Sequence, residues 1–448
     1  MRFYGREEEL TTLRSFFKTV CQKEISQMVT VIGRRRVGKT TLILKAFEEE
    51  SLPVFYFFVE RRTSEAELIQ SWLDEVSRIY QVEFPPTLKT IAELISYLMT
   101  LSKTKPCVCI IDECQELNAV APNTWSQLQK VWDLKKNQSQ MLLVMSGSII
   151  SAMEDIFGND SQPLYGRPSG QITVRPFAPA MIKKIVQTEN PEATQEDVLM
   201  AYAMTGGVAK YLELFAETDS FTSEKMLNYL CSMQGAWLRS EGDIYLANEF
   251  RSDAQTYFQI LRAIADGANK WNEIESRING VSQLSPYLSR LERFGIIRKV
   301  QPVMQEGKRR TTKYFINDPY FLFWLSFITP LIPKSMAEAS DWKGMKKYCL
   351  DRLDTFLGRT LERWFIETYR HAYRWEIVGG WWDKNGQNEI DIVAINSSEE
   401  KIEFVEVKRN PEKYDESKLK LKATTFLRDN TKLADYEMSY RGLSIEDI

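Results

Sequence analysis

Along the first 175 residues the chain switches between two hydrophobic patterns. Short runs of apolar residues occur at 28–32, 53–59, 107–111 and 141–145. Between them lie amphipathic stretches such as 64–79, where Leu68, Ile69, Trp72, Leu73 and Val76 recur at helical spacing. Strands alternating with helices predict an α/β fold with a parallel sheet covered on both faces. From about 179 to 240 the β runs stop and helical patterns dominate, which predicts an all-α lid. Then come three helical segments, 257–265, 270–278 and 283–294, and an extended pair, 297–303 and 312–316, around the turn 305–310. Three helices and a hairpin match a winged helix-turn-helix. An aromatic segment, 320–327, leads into a last αβ unit. The expected division is a core at 1–178, a lid at 179–245, a winged helix at 246–335 and the αβ unit at 340–448.

Composition narrows the chemistry. The chain has 448 residues, 44% hydrophobic and 27% charged, an ordinary globular balance. His371 is the only histidine, which excludes a metal site needing two and disfavours Ser-His-Asp or Cys-His catalysis. The six cysteines form no CxxC pair, so neither a zinc finger nor a disulfide scaffold is expected. The N-terminus is charged where a signal peptide would be apolar. The most apolar stretch, 320–333, is shorter than the roughly 20 residues that span a bilayer. These features predict a reduced, cytoplasmic protein with no membrane partner. Net charge is −3, so any nucleic-acid contact must come from a local patch. One exists: between 290 and 313 Arg290, Arg293, Arg298, Lys299, Lys308, Arg309, Arg310 and Lys313 face only Glu292 and Glu306. Such clustering suits phosphate contacts to DNA; a solvated wing packed on a neighbouring domain is the alternative.

The sharpest chemical signal is Gly33-Arg-Arg-Arg-Val-Gly38-Lys39-Thr40, a G-x-x-x-x-G-K-[ST] loop between the first strand and a helical run at 41–50. Glycines let backbone N–H groups curl around phosphates, and a helix N-terminus favours anions. Gly33, Gly38, Lys39, Thr40 and Thr41 are therefore expected to bind ATP, with Lys39 on the β- and γ-phosphates and Thr40 on Mg²⁺. The apolar run at 107–111 ends in Asp112 and Glu113; Asp112 is expected to hold Mg²⁺ through water and Glu113 to activate the attacking water. Ser148 or Ser146, after the next strand, could sense the γ-phosphate, and Arg167 is a candidate arginine finger or sensor. Cys107 and Cys109 read as small buried hydrophobes.

These residues resemble AAA-type P-loop ATPases, the group that includes STAND switch proteins and replication-origin ATPases. Phe3-Tyr-Gly5-Arg6-Glu-Glu-Glu-Leu10 resembles that group's box against the adenine, which implies that Gly5 and Arg6 border the nucleotide. Thr205-Gly-Gly-Val-Ala209-Lys210-Tyr-Leu resembles its lid motif, with Ala209 where proline is usual. The whole order resembles prokaryotic ATPases that carry a C-terminal domain of unknown function.

Near the C-terminus a helical Glu362 precedes Asp391 on one strand-like run and Glu406-Val-Lys408 on another. This ordered set resembles the PD-(D/E)xK nuclease fold. Glu406 and Lys408 stand two apart on a strand and share a face. Asp391 and Glu406 would bind Mg²⁺, Lys408 would orient or polarise the attacking water, and Glu362 would tune the site. His371 reads as a surface or packing residue. The reading is a Mg·ATP-binding ATPase coupled through a winged helix to a nuclease-like domain acting on DNA. The alternatives are an ATP-dependent signalling or defence switch whose C-terminal domains only bind partners, and a non-catalytic scaffold. A homo-oligomer stays open, because nothing in the sequence fixes the oligomeric state.

Overall fold

The four apolar runs of the N-terminal region form strands, and they form them in parallel. In the computed structural model, which describes residues 2–48, 52–278, 283–305, 312–383 and 387–448, they are β1 (Gln27–Ile32), β2 (Val54–Phe58), β3 (Cys107–Asp112) and β4 (Met141–Gly147). A fifth, β5 (Gly170–Thr173), completes a sheet of order β2-β3-β4-β1-β5, parallel throughout. Every residue of β3 and β4 is buried, so both read as unbroken apolar runs rather than alternating ones. In β5 only Ile172 is buried, which is why no hydrophobic pattern announced it.

Helices cover both faces. Met28, Phe57, Trp72, Leu98 and Met145 belong to one core, Val29, Val31, Leu42, Phe47 and Val144 to the other. The helix Glu65–Tyr80 starts where Ser64 and Glu67 form a reciprocal capping box, satisfying two backbone donors. The helix after the phosphate loop runs Lys39–Phe47, and Glu50, expected in it, lies outside the described residues. Gly5–Arg175 makes one compact unit.

The remaining chain, Pro176–Ile448 with Met1–Tyr4, makes the second compact unit, so the segments expected as lid, winged helix and αβ domain share one body. The aromatic segment is a helix, Pro319–Phe327, buried nearly all round. It packs so closely that a Cβ on Gly242 would meet the Trp324 ring at 2.4 Å. Helices Ala254–Ala265, Trp271–Glu275 and Ser285–Arg293 precede an antiparallel ribbon, β6 (Ile297–Val300) with β7 (Lys313–Ile316). The expected turn at 306–310, with Glu306, Lys308, Arg309 and Arg310, lies outside the described residues.

A 30-residue helix, Trp342–His371, leads into a four-stranded sheet of order β11-β10-β9-β8. Its strands are β8 (Ile377–Trp382), β9 (Glu389–Asn396), β10 (Lys401–Val407) and β11 (Glu437–Leu443). β8, β9 and β10 run antiparallel in turn, and β11 returns parallel to β10 after the helix Glu416–Asp429. The register of β8 against β9 shifts between Gly379 and Trp381. Among the described residues no helix is long and apolar enough to cross a membrane.

Candidate functional site

The phosphate loop is shaped by backbone that side chains cannot easily follow. Gly38 has φ 98° and Arg36 φ 70°, both left-handed. At Gly33 a Cβ would come within 2.4 Å of the Val174 carbonyl oxygen, so only glycine lets β1 turn there. The loop opens the helix Lys39–Phe47, leaving that helix's first N–H groups at the turn. Lys39 is buried, and its ammonium donates to the carbonyls of Gly33 at 2.8 Å and Arg34 at 3.2 Å. Thr40 is half-buried and Thr41 exposed on the same first turn.

The order β3-β4-β1 brings the ends of three strands together beside this loop. Asp112, almost fully buried at the end of β3, accepts from Thr40 Oγ1 at 2.6 Å and from the Tyr56 hydroxyl on β2 at 3.0 Å, both at Oδ2. Its other oxygen takes the Glu113 N–H at 3.0 Å. Burial, and then the Asp112 charge, push the Tyr56 hydroxyl pKa well up, so the tyrosine stays a donor. Glu113 adopts φ 52°, a left-handed turn that swings it out of the strand. Its Oε2 accepts from Ser148 Oγ at 2.6 Å and from Gln115 Nε2 at 2.5 Å. Ser146 is buried with its hydroxyl unpartnered among the described residues. Tyr56 and Gln115 were not identified from the sequence. Tyr56 sits in an aromatic strand that gives no chemical signal, and Gln115 only gains meaning once Gly147 and Ser148 face it.

Gly5 and Arg6 have φ 59° and 70°. The Arg6 guanidinium is mostly buried and reaches Arg175 O at 2.7 Å and, at 3.4 Å, the carbonyl of Val37 in the phosphate loop, while pairing with Glu9. The N-terminal box is thus tied to the loop. Arg167 is a correction. It pairs with Asp133 through two nitrogens, at 2.8 and 3.1 Å, and donates to Pro163 O. Asp133 ends the helix that feeds the start of β4, and residue 169 bonds Met28 at the start of β1. Arg167 therefore stands at the N-terminal edge of the sheet, opposite the loop, and this geometry gives no support to a finger or sensor role within the chain. In the second unit Gly206 and Gly207, φ 56° and 75°, turn the lid motif, and Lys210 pairs with Glu213 at 2.6 Å.

A separate polar cluster lies on the C-terminal sheet. The antiparallel register pairs Val405 with Ile392, so Asp391 and Glu406 stand next to each other on one face. Asp391 Oδ2 accepts the Val407 N–H at 2.7 Å. Lys408 Nζ lies 2.8 Å from Glu406 and 3.9 Å from Asp391. A second ammonium, Lys422 from the helix Glu416–Asp429, holds both Glu406 oxygens at 3.1 and 3.0 Å. Lys422 was missed because only the packing of that helix on the sheet reveals it. His371 is exposed, with Nδ1 2.7 Å from the Glu367 carbonyl, outside the cluster.

The electrostatics of the cluster are uneven. Burial pushes Asp391 up to about 6, with the Val407 N–H opposing and Glu406 adding to it. Burial also acts on Glu406, but the hydrogen bonds and charges of Lys408 and Lys422 outweigh it and hold that carboxyl low. Glu362 is raised by burial of its carboxyl and then by Asp391 and Glu389, although much of the residue is exposed. A carboxylate raised in the fold stabilises it fully below its ordinary pKa, near 3.8 for Asp391, and that contribution is lost as pH rises through about 6. In chelator, urea unfolding should therefore show a wild-type stability loss between about pH 4 and pH 7 that Asp391→Asn lacks, up to about 3 kcal/mol. Equal pH slopes for the two proteins would refute the raised carboxyl.

Both sites suit a hard divalent cation by their donors: a threonine hydroxyl with Asp112 in one, two adjoining carboxylates in the other. Magnesium is commonly held by one or two carboxylates, the rest being water and substrate phosphate. Among the described residues no three His, Cys, Asp or Glu gather into a self-sufficient metal cage. Among the described residues the cations of the basic run do not share one face. Arg290 packs over Phe250, Tyr257 and Phe294 and donates to Glu249 O, and Lys313 sits over the Trp382 ring at 4.3 Å. Lys299 and Arg293 are exposed, and Arg298 turns into a cavity.

Residues 3–215 match a family model described as an ATPase domain predominantly from Archaea, and residues 324–419 one described as archaeal and bacterial proteins of unknown function. Over 410 residues the chain is 28% identical to an uncharacterized protein of Methanocaldococcus jannaschii, covering 91% of this chain and 87% of that one. Among solved structures it resembles a Walker-type ATPase of Pyrococcus abyssi, with a TM-score of 0.54 at 20% identity over 72% of this chain and 96% of the other. That likeness speaks for the fold. The chain is therefore an ATPase, similar over residues 3–215 to ATPase domains predominantly from Archaea and over residues 324–419 to archaeal and bacterial proteins of unknown function.

Proposed function

We propose that this ATPase binds Mg·ATP and is coupled to a winged-helix, nuclease-like C-terminal unit that acts on DNA. On this reading Gly33, Gly38, Lys39, Thr40 and Thr41 hold the triphosphate, with Gly5 and Arg6 bordering it. Asp112 fixes the Thr40 hydroxyl and accepts the metal's water. Glu113 takes a proton from the attacking water, aimed by Ser148 and Gln115, which hold one of its oxygens and leave the other for water. Thr40 and Asp112 would hold magnesium, which would offset the phosphate charge. Tyr56 positions Asp112. Tyr56→Phe should lower turnover about threefold to tenfold and shift the Mg²⁺ dependence to higher concentration, the loss of one hydrogen bond to a charged group. An unchanged Mg²⁺ titration would remove Tyr56 from the site.

The observation that carries the nuclease-like half is the pairing of Asp391 and Glu406 on adjoining strands with Lys408 2.8 Å from Glu406. The strand order, helix–three strands–helix–strand, supports it. The three helices and ribbon at 254–316 support the winged helix. One observation favours the switch reading: both Glu406 oxygens are already held by lysines, so the cluster could serve binding alone. The test is cleavage of single-stranded, double-stranded and branched DNA by the full chain with Mg²⁺ or Mn²⁺, with and without ATP. Metal-dependent cleavage supports the nuclease; none in any condition, with ATP turnover intact, leaves the switch.

A further inference from the structure

The residues after β6 and the free edge of β8 enclose a cavity of about 450 Å³, within the size range of small-ligand sites. Arg298, Lys299 and Arg370 line it, together with Val378 and Gly379, and among the described residues no acid does. Its wall is fixed by the Val303 N–H, which bonds Gly380 O at 3.1 Å. We propose that this cavity binds a phosphate group carried by a nucleotide or by the end of a nucleic-acid strand.

The argument begins with charge. Arg298 Nε is closed off from solvent and has no hydrogen-bond partner among the described residues. A buried donor in that state is destabilising unless something completes it. Arg370 in the same lining and the buried Arg363 are both close enough for their charges to act on Arg298. Glu367 and, toward Arg363, Asp318 are the acids that oppose them, and Glu367 is already gripped by Arg363 through two nitrogens at 2.9 Å. Among the described residues Arg370 makes only long hydrogen bonds, 3.3 and 3.4 Å, to the Val378 carbonyl. Burial and then the Arg363 and Arg370 charges draw Arg298 down to about 10, which leaves it a cation at neutral pH. Like charges held together in a cavity repel, and a dianion is the partner that reverses the sign of that interaction. Guanidinium forks match phosphate oxygens in geometry as well as charge.

This site is separate from the Asp391–Glu406 cluster, so a failed cleavage assay does not touch it, nor does its failure touch cleavage. The experiment uses the full chain saturated with ADP, so that the phosphate loop is filled. A short 5′-phosphorylated oligonucleotide, the same oligonucleotide without phosphate, and AMP are titrated by calorimetry. The phosphorylated strand or AMP should bind at least about tenfold tighter than the unphosphorylated strand. Whichever does so identifies the source of the phosphate. Arg298→Gln and Arg370→Gln should each remove that advantage, Arg298→Lys should restore part of it, and Lys39→Ala should leave it intact. Folding is checked by thermal melting; Arg298→Gln should not melt lower than wild type, because it relieves repulsion. Equal binding of the phosphorylated and unphosphorylated probes, retention in both glutamine variants, or loss in Lys39→Ala would overturn the proposal.

Discussion

Lys39→Ala should cut ATP turnover by about 10²- to 10³-fold or more, the usual cost of deleting a charge donor aimed at the reacting group. The lysine is buried with its ammonium turned onto the loop carbonyls of Gly33 and Arg34, so no solvent-exposed cation of the loop can replace it by a rotamer change. Glu113→Gln should behave differently. The amide keeps the side chain's shape and its hydrogen bonds to Ser148 and Gln115, so nucleotide still binds. It cannot accept the proton of water, so hydrolysis slows by about 10²- to 10⁴-fold. Nucleotide binding by fluorescence and phosphate release by the same enzyme preparations separate the two steps. Wild-type turnover in both variants would sink the assignment of this site.

Asp391→Ala should abolish metal-dependent cleavage while ATP turnover persists, since Asp391 and the phosphate loop belong to different compact units. The alanine also strips the Val407 N–H of its acceptor, at a stability cost of about 1–3 kcal/mol. Asp391→Asn is the control, because its amide oxygen can keep that bond and only the charge is lost. Lys408→Ala should also lose cleavage but retain the metal, detected as Mn²⁺ binding by electron paramagnetic resonance. If Asp391→Asn cleaves like wild type, the cluster is not the cutting site. If Lys408→Ala cleaves normally, the lysine is only a counter-ion to Glu406.

Much of the site was legible because its chemistry demands particular residues at fixed spacing. The loop from Gly33 to Thr40 is readable along the chain itself, since glycine, lysine and threonine each answer a separate need of a phosphate. Asp112 and Glu113 were legible from their place after an apolar run. Lys422 and Gln115 were not, because neither has a sequence neighbour that explains it. Arg167 shows the limit of such reading: a lone arginine near the right strands in sequence lies at the end of the sheet away from the loop of its own chain. The eight cations of 290–313 cluster in sequence, whereas aromatic packing takes Arg290 and Lys313 and the cavity takes Arg298.

By itself the sequence determined the local facts: which apolar runs are strands or helices, β5 excepted, that the first sheet is parallel and buried on both faces, and that a phosphate loop opens a helix. Those follow from hydrophobic period and from the backbone freedom of glycine, both properties of neighbours along the chain. Only the tertiary structure decided which strand ends meet, that Tyr56 shares Asp112 with Thr40, and that a second lysine reaches Glu406. It also decided that the guanidinium groups of 298 and 370 share one cavity, with that of 363 buried nearby. These are contacts between residues tens of positions apart, set by strand order and helix packing, and no period in the sequence encodes them.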